Sequence, residues 1–158
     1  MSILTYIIKR SKKFIPLFWI IFICDFIYHL LLSIAISFYD PSLIETFEKG
    51  TPLKEIFLLS VIIGPLLETL IFQYLTIEIL SFFKLKKSFI ILISSLFFSL
   101  IHYYNFIYII ATLPAGIIYA TYYMYLKEKK IKTPFLYIFG LHTLYNFTVF
   151  ILDDILGW

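Results

Sequence analysis

Charge is scarce in this sequence: Asp, Glu, Lys and Arg make up 15% of its 158 residues. Soluble domains carry about 25%, so no separate water-facing domain has room in this length. Cysteine is nearly missing as well. The single thiol, Cys24, lies inside an apolar run, can form no intrachain disulfide and leaves the redox compartment unread. The net charge is only +3, and the lysines stand mostly at the ends of apolar runs. There they read as topology signals and headgroup contacts, which argues against a nucleic-acid partner. No small-residue cleavage site follows the first apolar run, which is too long for a signal-peptide core, so it reads as a retained span. Internal repeats and low-complexity linkers are absent.

What is present is hydrocarbon. The chain is 61% hydrophobic and 21% aromatic, its mean hydropathy is +0.95, and apolar runs of about 18 residues or more recur along it. These features predict an all-α polytopic membrane helix bundle of about five transmembrane helices, a multi-pass protein of the cell membrane with the lipid bilayer as its main partner. Residues 1–158 form a single integral membrane domain on this reading. The spans fall at roughly 14–39, 55–83, 88–104, 106–126 and 134–152. They read as helices because the hydrocarbon core offers backbone groups no partners and the runs lack the alternation of barrel strands. Basic residues precede span one (Lys9, Arg10, Lys12, Lys13) and fill the connections after span two (Lys84, Lys86, Lys87) and span four (Lys127, Lys129, Lys130, Lys132). Acidic residues favour the other side: Asp40, Glu45 and Glu48 after span one, Asp153 and Asp154 after span five, with Lys49 and Lys54 as minor exceptions. By the positive-inside rule the amino end is cytoplasmic. Asn105 is the turn signal between spans three and four, predicting a tight hairpin.

Against this background a few polar residues stand out, because an ionisable group near mid-bilayer costs about 2.5–3.5 kcal/mol on insertion scales. Span two carries Glu68 after Gly64 and Pro65; in an α-helix the proline leaves the carbonyl of Val61 without its amide and loosens the turn before the carboxylate. Span three carries His102. Span five carries His142 and Asn146, four apart on one helical face. Span one adds Asp25 and His29, also four apart, which read as a mutually satisfied pair lining the bundle, with a supporting role beside the site as the other reading. Any one of these residues can be interhelical hydrogen-bond glue; a carboxylate, two imidazoles and an amide buried together favour chemistry. Glu68 beside an imidazole can act as a general base toward water, and His142 with Asn146 can donate to a developing oxyanion. Cys24 and His29 diverge on their helix, which disfavours a thiol mechanism. A metal route stays open: Glu68, His102 and His142 are acceptable ligands for zinc or another divalent ion, although no two share a helix and no His-Glu-x-x-His motif occurs. Glu78 can snorkel from the inner end of span two, and Tyr103, Tyr104, Tyr122, Tyr123 and Trp158 read as interface belts and packing.

In order along the chain these residues resemble the CPBP family, intramembrane proteases that include type II CAAX prenyl endopeptidases and bacteriocin-processing or immunity-related (Abi) proteins. The first motif of that family, Glu-Glu-x-x-x-Arg with a preceding proline, is matched by Pro65-Leu-Leu-Glu68-Thr69-Leu-Ile-Phe72-Gln73. The second, Phe-x-x-x-His, is matched by Phe98 and His102. The third, His-x-x-x-Asn or Asp, is matched by His142 and Asn146. The likeness covers about residues 55–150, with the glycine-bearing stretch around Gly116. It implies an endopeptidase acting on a membrane-embedded or membrane-adjacent peptide or protein substrate, in which Glu68 and His102 activate water and His142 and Asn146 stabilise the oxyanion. The family is described both as metal-dependent and as using a metal-free glutamate mechanism, and both stay open here. Two positions depart from the pattern: the second Glu is Thr69 and the Arg is Gln73. Losing both together replaces a buried ion pair with a neutral Thr-Gln pair and leaves Glu68 in place. The alternatives are a noncatalytic immunity or scaffold protein that binds a peptide or partner helix in the same groove, and a small permease or channel subunit.

Overall fold

A computed structural model of the protein describes residues 15–40, 43, 50–103 and 106–157. Those residues form five helices: α1 (Ile15–Ser37), α2 (Leu53–Phe82), α3 (Lys87–Leu100), α4 (Phe106–Glu128) and α5 (Pro134–Ile155). The basic residues before residue 14, Glu45, Glu48, Lys49, Tyr104, Asn105 with its expected hairpin, and Trp158 lie outside the described residues.

Four of the helices, α1, α2, α4 and α5, are long and apolar enough to cross a membrane, and the molecule is a multi-pass membrane helix bundle. The third is different. Expected over 88–104, it is helical only over Lys87–Leu100, 14 residues, or about 21 Å against a hydrocarbon core of about 30 Å. Beyond Leu100 the chain tightens into a turn in which the His102 amide donates to the Ser99 carbonyl at 3.1 Å.

The fold is organised around α4. Ala115, Tyr119, Ala120, Tyr123 and Leu126 from α4 pack with Ile77 of α2, Ile90 and Phe98 of α3, and Ile138 and Leu141 of α5 in one buried cluster. Tyr122 and Tyr123 are therefore core residues, whereas Tyr103 is largely exposed, as an interface residue would be. Gly116 lets α4 approach α3: a Cβ there would lie 3.1 Å from the Phe98 ring, the Ser95 Cα and the Ser95 carbonyl oxygen. By contrast, α1 presents Trp19, Ile20, Ile23, Ile27 and Leu31 outward, the apolar surface a helix turns to lipid.

At one end of the bundle both lysine-rich connections are tied together. Lys127 Nζ meets Glu78 Oε2 at 2.8 Å, with the Tyr123 hydroxyl donating to Glu78 Oε1, and Lys87 Nζ meets Glu128 Oε1 at 2.8 Å. Lys84 and Lys130 both adopt φ of 55°. Each closes its helix with a paired capping pattern, Lys84 to Ser81 with Leu85 to Leu80, and Lys130 to Lys127 with Ile131 to Leu126. Glycine is the usual residue at such a position; here a cation complements the negative end of the helix dipole.

Candidate active site

Helix α2 departs from α geometry on both sides of the glutamate. Phe57–Ile63 and Thr69–Leu75 are π-helical, separated by an α-helical turn Gly64–Glu68. In the first π segment the Gly64 amide donates to the Leu59 carbonyl, five residues back. The next amide in that register would serve Ser60, but residue 65 is proline and has none. The Ser60 carbonyl is thus left without the amides of residues 64 and 65. It is claimed from another helix: Asn146 Nδ2 donates to Ser60 O at 2.7 Å. The proline-broken wall that carries Glu68 is in this way pinned to α5.

Three of the four expected side chains converge on one atom. Glu68 Oε2 lies 3.8 Å from His102 Nε2 and 3.7 Å from His142 Nε2, and this oxygen is buried with no hydrogen-bond partner of its own. His102 reaches it from the turn after α3, not from a longer third span. Its Nδ1 lies 3.0 Å from the Phe98 carbonyl, which can only accept, so Nδ1 carries the proton and Nε2 is the acceptor of the neutral ring. His142 is 5% exposed, its ring packed against Phe98 and Tyr119. Asn146, the fourth, lines the same cavity but has committed one of its two amide hydrogens to Ser60. The cavity holds about 430 Å³ and is shared by His29, Glu68, His102, Tyr119, His142 and Asn146 with apolar residues of α1 and α4.

Between a carboxylate oxygen and an unprotonated imidazole nitrogen, two acceptors, a stable contact needs a shared proton donor. A water that gives one hydrogen to each satisfies both and is thereby polarised for attack. The donor set fits a metal less well. A catalytic zinc uses three protein ligands and an open position, and among the described residues no group of three or more His, Cys, Asp or Glu side chains is arranged to hold a metal ion.

The side chains behind these residues find partners other than those expected. Thr69 and Gln73 do not pair with each other: Thr69 Oγ1 lies 3.5 Å from His142 Nδ1, and Gln73 Oε1 accepts from Ser94 Oγ at 2.9 Å. Each is fully buried and has found a partner on a neighbouring helix. Asp25 and His29 form only a long pair, 3.5 Å from Oδ1 to Nδ1. The shorter bonds are from Tyr119 Oη to Asp25 Oδ2, 2.9 Å, and between His29 Nδ1 and the Asp25 carbonyl, 3.0 Å. Tyr119 thus joins α1 to the back of His142, a link that sequence reasoning missed because tyrosines are common in this chain and nothing in its spacing singles this one out.

Residues 52–148 match the family model described as Type II CAAX prenyl endopeptidase Rce1-like. That segment is more than half of the chain and contains all three motif positions. The chain belongs to the Rce1-like family. No curated protein and no solved structure matches the chain. Within an Rce1-like framework the Thr69 and Gln73 departures stand out, since both fall on the helix that carries the glutamate.

Proposed function

We propose that the protein is an intramembrane endopeptidase that hydrolyses a membrane-embedded or membrane-adjacent peptide without a covalent acyl intermediate. The supporting observation is the convergence of Glu68 Oε2 on both imidazole Nε2 atoms at 3.7 and 3.8 Å beside a cavity large enough for a peptide segment. Glu68 and His102 Nε2 each accept a hydrogen of one water, and Glu68 takes its proton as the oxygen attacks the scissile carbonyl. His142 and the remaining amide hydrogen of Asn146 donate to the oxyanion. Collapse of the tetrahedral intermediate then passes the Glu68 proton to the leaving amine. In the membrane the chain crosses five times with its amino end and both lysine-rich connections in the cytoplasm; α3 and the turn to His102 together make the third crossing.

A reading as a noncatalytic binding protein draws on the Thr69 and Gln73 departures. The two separate in one experiment, in which purified protein in liposomes is incubated with membrane-spanning peptides and the products are read by mass spectrometry. Peptidase action predicts new termini with wild type and none with Glu68→Gln at equal folded yield. Peptide retention without new termini from either protein would establish the binding function instead.

A further inference from the structure

The residue that replaces the second glutamate of the first motif carries an assignment of its own. Several helical hydroxyls among the described residues rest on their own helix: Ser60, Ser95, Thr112 and Thr148 each donate to the carbonyl four residues back, at 2.7–2.8 Å. This is where such hydroxyls usually settle. Thr69 does not do this. Its side chain is fully buried, and its one hydrogen-bond contact among the described residues crosses from α2 to α5, to Nδ1 of His142 at 3.5 Å.

Two proton arrangements are possible across that contact. If His142 Nδ1–H donates to Thr69, the threonine's own hydroxyl proton is left buried with no acceptor, at a cost of about 1–3 kcal/mol. If Thr69 donates to Nδ1, the hydroxyl proton is used, and the ring proton moves to Nε2, where it is directed toward the unpartnered Glu68 Oε2 at 3.7 Å. We propose that Thr69 is a positioning residue whose hydroxyl donates to His142 Nδ1 and holds that ring as the Nε2–H tautomer. The consequence is a pair of histidines locked in opposite forms. His102, donating from Nδ1 to the Phe98 carbonyl, presents an acceptor to the site; His142 presents a donor. The inference rests on the peptidase reading for its purpose, since an oxyanion needs the donor form, but its geometry is independent of activity.

The protein contains only three histidines, so ring nitrogen-15 spectra of the histidine-labelled full chain in micelles, near about pH 8 where imidazoles are neutral, resolve each tautomer. Assignments come from His29→Gln and His102→Gln. The expected pattern is a protonated Nε2 for His142 and a protonated Nδ1 for His102. Thr69→Val, of nearly the same shape, should release the His142 preference and lower kcat about tenfold with KM little changed; Thr69→Ser should restore both. A protonated Nδ1 on His142 in the wild type, the form required when Nε2 ligates a metal, would overturn the assignment, as would a Thr69→Val spectrum identical to wild type. If wild type cleaves no peptide, the peptidase reading fails while the tautomer spectra still decide the role of Thr69.

Discussion

The bond from Asn146 to the Ser60 carbonyl makes a quantitative prediction about helix α2. Asn146→Ala removes the only donor to a carbonyl that neither the Gly64 amide, already committed to Leu59, nor Pro65 can reach. A buried acceptor stranded in this way costs about 1–3 kcal/mol, and cycles in membrane bundles average about 0.6 kcal/mol with a maximum near about 1.7, so a loss of roughly 1–2 kcal/mol is expected. Pro65→Ala changes the account, because it returns an amide at the position that serves Ser60 in the π register. In that background Asn146→Ala should be milder, leaving a coupling energy of about 0.6–1.7 kcal/mol in a double-mutant cycle measured by reversible unfolding in mixed micelles. Additivity within about 0.3–0.5 kcal/mol would refute the claim that Asn146 compensates the proline break, and would return Asn146 to a role confined to the substrate side of the cavity.

Other perturbations have equally direct readouts. Gly116→Ala inserts a methyl 3.1 Å from Phe98 and the Ser95 backbone, so it should destabilise by about 1–3 kcal/mol and slow cleavage by displacing the turn that holds His102; unchanged thermal unfolding contradicts this. Tyr119→Phe deprives the 2%-exposed Asp25 of its shortest hydrogen bond and should lower stability by about 1–3 kcal/mol, seen as a lower unfolding midpoint. Lys127→Met breaks a half-exposed ion pair with Glu78 and should shift stability by less than about 1 kcal/mol, with cleavage unaffected.

Much of the bundle was legible in the sequence because the bilayer imposes a simple rule: apolar runs become helices, and the few polar residues within them must face one another. That rule located Glu68, His102, His142 and Asn146 and predicted that they meet. It overran the end of α3, since Ile101, Tyr103 and Tyr104 are as apolar or aromatic as a helix would be and the turn signal, Asn105, comes only after them. It also pointed only to the Val61 carbonyl and missed that of Ser60, because hydropathy is blind to a π register. Thr69 and Gln73 do not form the expected pair for a related reason, and Asp25 has Tyr119 as a partner besides the expected His29. Spacing along one helix suggests neighbours on that helix, whereas these buried side chains find hydrogen-bond partners across helices in His142, Ser94 and Tyr119.

The central claim is that Glu68 and the two imidazoles enclose a reactive water rather than gripping each other. A high-resolution crystal structure of the protein grown from lipid tests it most directly. The account predicts an ordered water within about 3 Å of both Glu68 Oε2 and His102 Nε2, with His142 Nε2 facing the same recess. A Glu68 carboxylate turned toward acyl chains, or bonded directly to an imidazole with no solvent between them, would contradict it.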